Sequence, residues 1–285
     1  MRSLFRMTVL LIVALIAAPA AHAGNDDAKA TALLGLAQAR SQQLPLLAND
    51  AAAGNVDAFR ELGATADKID AVLTRLKHGD PQIGFGGIAD RAPLRKNLAD
   101  VDASWAKLNA EVAKVLAGQR QVSESAAAVD EFDRKLAVLN SRMDEVVKIL
   151  SERAAPASQA VLASRQMLFA DRMQRRAHFV LNGGEEAASA AAGLQRDAQY
   201  YGVVLKGLIS GNAELNVKAI NHPAAHEILS DISKQWDDLA PTVTKLLEAA
   251  STLEDTRQAA DNIRVESQTF LLKSMPLLLT IGQIR

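Results

Sequence analysis

Arg165, Phe169, Arg172 and Arg176 follow one another at intervals of four, three and four residues, the spacing that lines up side chains on one face of an α-helix. Guanidinium groups on such a face can aim planar forks of N–H donors at a carboxylate or another anion held between helices. The same stripe has a plainer reading, as a solvated face pairing with Asp171 and neighbouring acids.

Other candidates carry less chemistry. His222 and His226 stand four apart, as metal ligands on a helix do, but Pro223 follows the first where a zinc hydrolase has an acid, and no third ligand is identifiable. A capping or surface role fits them better, and no metal site is expected. Gly84-Phe85-Gly86-Gly87 lacks the Lys and Ser/Thr of a phosphate loop and follows no strand, so it reads as a turn. Trp105, Trp236, Tyr200 and Tyr201 can line a pocket between helices or simply fill a core, and the two adjacent tyrosines must point in different directions. The acid pairs Glu185-Glu186 and Asp237-Asp238 suit helix starts or polar faces. No nucleophile and base share a recognisable spacing, so neither an enzyme nor a cofactor is expected.

The elements that must position these groups are helices. Ala and Leu abound, aromatic residues are only 4% of the chain, and apolar residues recur every three or four positions, which argues for an all-α fold with negligible β content. One seam runs Leu94, Leu98, Val101, Trp105, Leu108, Val112, Val115 and should end at Gly118. A second runs Phe132, Leu136, Leu139, Met143, Val146, Leu150, and Pro156 should kink or restart the helix beyond it. With no cysteine anywhere, helix packing alone must supply the stability.

The seams repeat. Leu98, Val101, Trp105, Leu108, Val112 and Val115 match Leu229, Ile232, Trp236, Leu239, Val243 and Leu246 at a constant separation of 131. Leu73, Leu76 and Gly79 match Leu205, Leu208 and Gly211 at 132, and Leu44 and Gly54 match Met173 and Gly183 at 129. The expectation is two tandem copies of a helical-bundle unit, 24–153 and 154–285, joined by a long central helix, with the longer loops 79–93 and 211–223 at equivalent places. The copies need not bind alike: the first offers Arg40 and Gln43 where the second has its arginines, and Pro45 interrupts the helix there.

The N-terminus has the pattern of a secretory leader: Arg2 and Arg6, an apolar run from Met7 to Ala18, then Pro19 and Ala21-His22-Ala23. Cleavage after Ala23 would release 24–285 into the periplasm, and an uncleaved tether is the competing reading. No second apolar segment is long enough to span a bilayer, so no membrane insertion is expected after cleavage. A near-balance of 32 basic and 33 acidic residues disfavours nucleic acid as a partner.

Several segments resemble one known family. They are Ser41-Gln42-Gln43-Leu44 with Gly54-Asn55 and Ala58-Phe59, then Glu152 to Gln159, Arg165-Gln166, Arg172-Met173, Leu181-Asn182-Gly183-Gly184, Arg196-Asp197-Ala198 and Val204 to Leu208. Together they are similar to the extracytoplasmic region of the type IV pilus methyl-accepting chemotaxis transducers, the PilJ type. The resemblance implies a periplasmic sensory or ligand-binding region linked to surface sensing and twitching motility, with a small anionic ligand or a pilin-like or transducer protein as partner. A structural adaptor for a pilus or envelope protein is the alternative. The chain departs from the family in showing no second span, linker or methylated coiled coil, so it resembles a free-standing relative or a severed fragment. It departs too from related nitrate sensors, which open an Arg-Met-x-x-x-Arg segment with arginine: Met167 stands there, and only Arg172 matches.

Overall fold

The computed structural model describes residues 25–153 and 155–283. The expected leader and its cleavage after Ala23 lie outside the described residues. Eight α-helices account for most of what is described: α1 (Asn25–Ser41), α2 (Leu44–Ala52), α3 (Val56–His78), α4 (Arg95–Ala117), α5 (Gln119–Glu152), α6 (Ala157–Asn182), α7 (Ala187–Ser210) and α8 (Pro223–Ile281). The only pairings of β type among the described residues are two isolated bridges, Asp80 with Phe85 and Asn212 with Val217. The all-α expectation holds, because the three-and-four periodicity is buried as it predicts: Leu98 through Val115, Phe132 through Leu150, and Leu229 through Leu246 all lie in the core.

Helix boundaries follow local chemistry. Pro45 occupies the first turn of α2, where its missing N–H is not needed. Pro156 is the N-cap of α6, so the chain breaks after Glu152 and restarts. There it also reverses. Gln174 and His178 of α6 meet Asp133 of α5, while Asp171 meets Asn140, so one helix number rises as the other falls and α5 and α6 form an antiparallel hairpin. The long helix expected between the two halves therefore ends at Glu152, and α6 starts anew at Ala157.

Gly118 does separate α4 from α5, but not by the left-handed conformation that usually ends helices. Its φ of −77° is ordinary helical backbone. Glycine is required because α8 passes against it: a Cβ there would overlap the Thr256 hydroxyl. At the sequence separation of 131 stands Ala249, and there α8 continues without a break, its 59 residues running across Pro241 and Pro276.

A tight turn follows both α3 and α7. After α3, Asp80 and Phe85 exchange backbone hydrogen bonds of 2.7 and 3.0 Å, and Ile88 N–H donates to Leu76 O. After α7, Asn212 and Val217 do the same at 2.8 Å each, and Ile220 N–H donates to Leu208 O. Gly79 and Gly211 begin the turns with φ of 93° and 85°, a conformation only glycine adopts without strain.

Contacts divide the chain into two compact units, each discontinuous in sequence. Of the described residues, one comprises those up to 42, 67–106 and those from 268 onward, and the other 43–66 and 107–267. The helices α3, α4 and α8 contribute residues to both. In the first unit Trp105 donates to Asp70 Oδ1 at 3.1 Å and meets Phe270 edge-on at 6.0 Å. The second contains the whole α6–α7 hairpin.

Candidate functional site

The α6–α7 hairpin is closed by Gly183 and Gly184, both at positive φ, and Gly184 N–H donates to Glu254 at 2.6 Å. Along α6 the buried positions Gln159, Ala163, Gln166, Ala170, Met173, Ala177 and Val180 alternate steps of four and three, and the three alanines let a neighbouring helix approach closely. The buried face of α7 includes Ala190, Gly193, Leu194, Asp197 and Tyr201. Phe169 against Tyr200, Arg172 against Asp197 and Arg176 against Gly193 give the antiparallel register. That register places one carboxylate in the seam opposite two guanidinium groups.

Asp197 is only 5% exposed. Arg172 grips it with two bonds, Nε to Oδ2 at 2.9 Å and Nη2 to Oδ1, and Arg176 Nη1 donates to Oδ2 and to Gly193 O, the latter at 2.9 Å. Forked, charge-assisted bonds of this kind hold both partners rigidly. The absence of a side chain at Gly193 is what admits Arg176, since a Cβ there would stand 2.5 Å from its Cζ. Arg172 is steadied from the other side by Phe169, whose ring centre lies 4.6 Å from its Cζ, and Phe169 leans on Tyr200 at 5.0 Å. Both arginines keep part of their surface in solvent, 44% for Arg172 and 27% for Arg176.

Three of the four residues read from the sequence, Phe169, Arg172 and Arg176, are therefore brought together around Asp197, and Arg165 makes no bond to that carboxylate. It is exposed and lines a neighbouring hollow together with Leu168, Phe169, Asp171, Arg172 and Arg175. Asp171, the acid of the plainer reading, instead accepts a hydrogen bond from Asn140 at 3.0 Å. The sequence reading missed Asp197 and Gly193 as members of the cluster, because their distance from α6 along the chain is meaningful only once the hairpin register is known. Tyr200 and Tyr201 do part company: Tyr200 is 42% exposed, while Tyr201 is buried against Trp236 with ring centres 4.5 Å apart. Burial also pushes the Tyr201 phenol well above its ordinary pKa, and its hydroxyl has no hydrogen-bond partner among the described residues.

At the separations of 129 and 132, Arg172 and Arg176 correspond to Gln43 and Leu47, and Asp197 and Tyr201 to Thr65 and Ile69. Among the described residues no three His, Asp or Glu lie together as a metal site would need, and no helix is long and apolar enough to cross a membrane.

No family model matches the chain. Two curated proteins do align with most of it. Protein PilJ of Pseudomonas aeruginosa is 29% identical over 253 residues, which is 89% of this chain and 37% of that protein. The chain is a relative of PilJ. A putative methyl-accepting chemotaxis protein, AlkN of Alcanivorax borkumensis, is 31% identical over 238 residues, 83% of this chain and 34% of that protein. The chain thus spans about a third of the length of PilJ and of AlkN. Among solved structures, a TorS sensor domain in complex with TorT in the presence of TMAO aligns with 87% of this chain and 99% of that one. The identity is 10% and the TM-score 0.31, too low to carry an argument. The PilJ relationship stands on sequence.

Proposed function

We propose that this chain is a periplasmic sensory module of the PilJ type, without catalytic activity, which binds a small anion on its α6–α7 hairpin and reports to a protein partner. The observation that carries the reading is alignment with PilJ and with a chemotaxis protein over more than four-fifths of the chain. The two matching turns after α3 and α7 support a duplicated unit, 24–153 and 154–285. The arginine cluster, present in the second half only, is the group best suited to anion recognition. Arg172 and Arg176 bind an internal carboxylate already and retain outward N–H donors.

The test is a thermal-shift screen of the exported chain, its N-terminus read by mass spectrometry, against anions, amino acids, nucleosides and pilin peptide. A ligand that binds only the folded state raises the melting temperature by mass action. An anion that does so, and loses its effect in Arg172→Gln, supports the reading. A flat small-molecule screen beside tight binding of pilin or a transducer replaces it with the adaptor reading. Cleavage after Ala23 predicts a mature chain beginning at Gly24.

A further inference from the structure

One hollow on the α6–α7 hairpin, about 310 Å³, is lined by four arginines, Arg172, Arg175 and Arg176 from α6 and Arg196 from α7, together with Phe179 and Glu186. Asp197 neutralises part of this charge from beneath. The sequence stripe of Arg165, Phe169, Arg172 and Arg176 did not include Arg175, its neighbour on α6, or Arg196, which reaches the hollow only because α7 packs antiparallel to α6.

Among the described residues, neither Arg175 nor Arg196 forms an ion pair, and both are exposed. Four guanidinium groups against Glu186 and Asp197 leave an excess of two positive charges in one concavity. Like charges so placed repel, and a concave wall concentrates their field on whatever enters. A ligand carrying two negative charges balances them, whereas a single charge leaves half the excess in place. Two of the four forks are held in fixed positions, Arg172 by Asp197 and Phe169 and Arg176 by Asp197 and the Gly193 carbonyl. Less ordering is needed when a ligand binds donors already fixed. Phe179, 44% exposed, adds an apolar edge suited to a short carbon skeleton rather than to a bare inorganic ion.

We infer that this hollow binds a small organic dianion, with two carboxylates or a phosphate monoester on a short carbon chain, and that Arg175 and Arg196 close on it while Arg172 and Arg176 present a fixed floor. The inference deepens the anion-sensing reading by naming the ligand's charge and two further residues.

Isothermal titration calorimetry on the full exported chain tests it, with succinate and glycerol 3-phosphate as the two dianion probes and acetate and nitrate as single-charge controls at matched ionic strength. A dianion is expected to bind at least about tenfold more tightly than either control, and Arg175→Gln and Arg196→Gln are each expected to weaken it by about tenfold, one charge-assisted bond. Because both arginines are exposed and repel their neighbours, the melting temperature of the unliganded variants should not fall below the parent value. Equal binding of acetate or nitrate, or dianion binding untouched by both variants but lost in Arg172→Gln, overturns the inference while leaving an anion sensor in place. Binding of no anion at all, beside tight binding of pilin peptide, overturns both.

Discussion

Asp197 is the residue on which the second unit's polar chemistry turns. A carboxylate this deeply buried is costly unless it is paired, and it is paired twice. Asp197→Ala should lower stability by about 1–3 kcal/mol, less than a fully buried pair would cost because both arginines can turn to water. The measurement is the urea midpoint at an unchanged denaturant slope. Tyr201 presents the opposite case, a buried hydroxyl with no partner among the described residues. Tyr201→Phe keeps the ring against Trp236 and removes the orphan, so stability should be unchanged or higher by about 1 kcal/mol. The two forms should also diverge with pH. The unfolded chain releases the phenol proton near the ordinary value of 10.0, while the folded chain retains it to higher pH. Stability conferred by Tyr201 is therefore complete below pH 10 and declines as pH rises beyond it, and Tyr201→Phe should lose that alkaline decline in urea titrations.

At the scale of elements, two glycines within or beside helices are held by what packs on them rather than by backbone conformation. An alanine in place of a helical glycine normally adds about 0.5–1 kcal/mol of stability. Gly118→Ala should instead destabilise by about 1–3 kcal/mol, through overlap with Thr256. Coupling measured in a double-mutant cycle with Thr256→Ala would localise the effect, and additive changes would refute it. Much of this level was legible beforehand. The seams of α4 and α5, the restart at Pro156 and the turns beginning at Gly79 and Gly211 follow from periodicity and from the conformational limits of proline and glycine. The reason for Gly118 was not legible, because Thr256 lies far along the chain and no local pattern records its approach.

The whole molecule combines two compact units with one tryptophan each, Trp105 in the first and Trp236 in the second. Neither unit is a continuous stretch of chain, and α3, α4 and α8 contribute to both. The expected outcome is one cooperative unfolding transition. Trp236→Phe leaves Trp105 as sole reporter and Trp105→Phe leaves Trp236, so urea curves from the two variants should keep the same slope and coincide after correction for each variant's stability. An intermediate seen by circular dichroism in the parent chain would contradict this.

Sequence alone determined that the chain is all-helical, which residues fill its seams, and that it resembles the PilJ type. Those properties reside in periodicity, propensity and local motif, which are written along the chain. It also placed Phe169, Arg172 and Arg176 on one helix face, since four-residue spacing is a local quantity. Only tertiary structure decided what that face meets. Antiparallel register set Asp197 beneath the two arginines and carried Arg196 beside Arg175. It decided too that α8 continues through Pro241 and Pro276, where local rules favour a break, because packing along a buried face can offset about 3 kcal/mol for each interior proline.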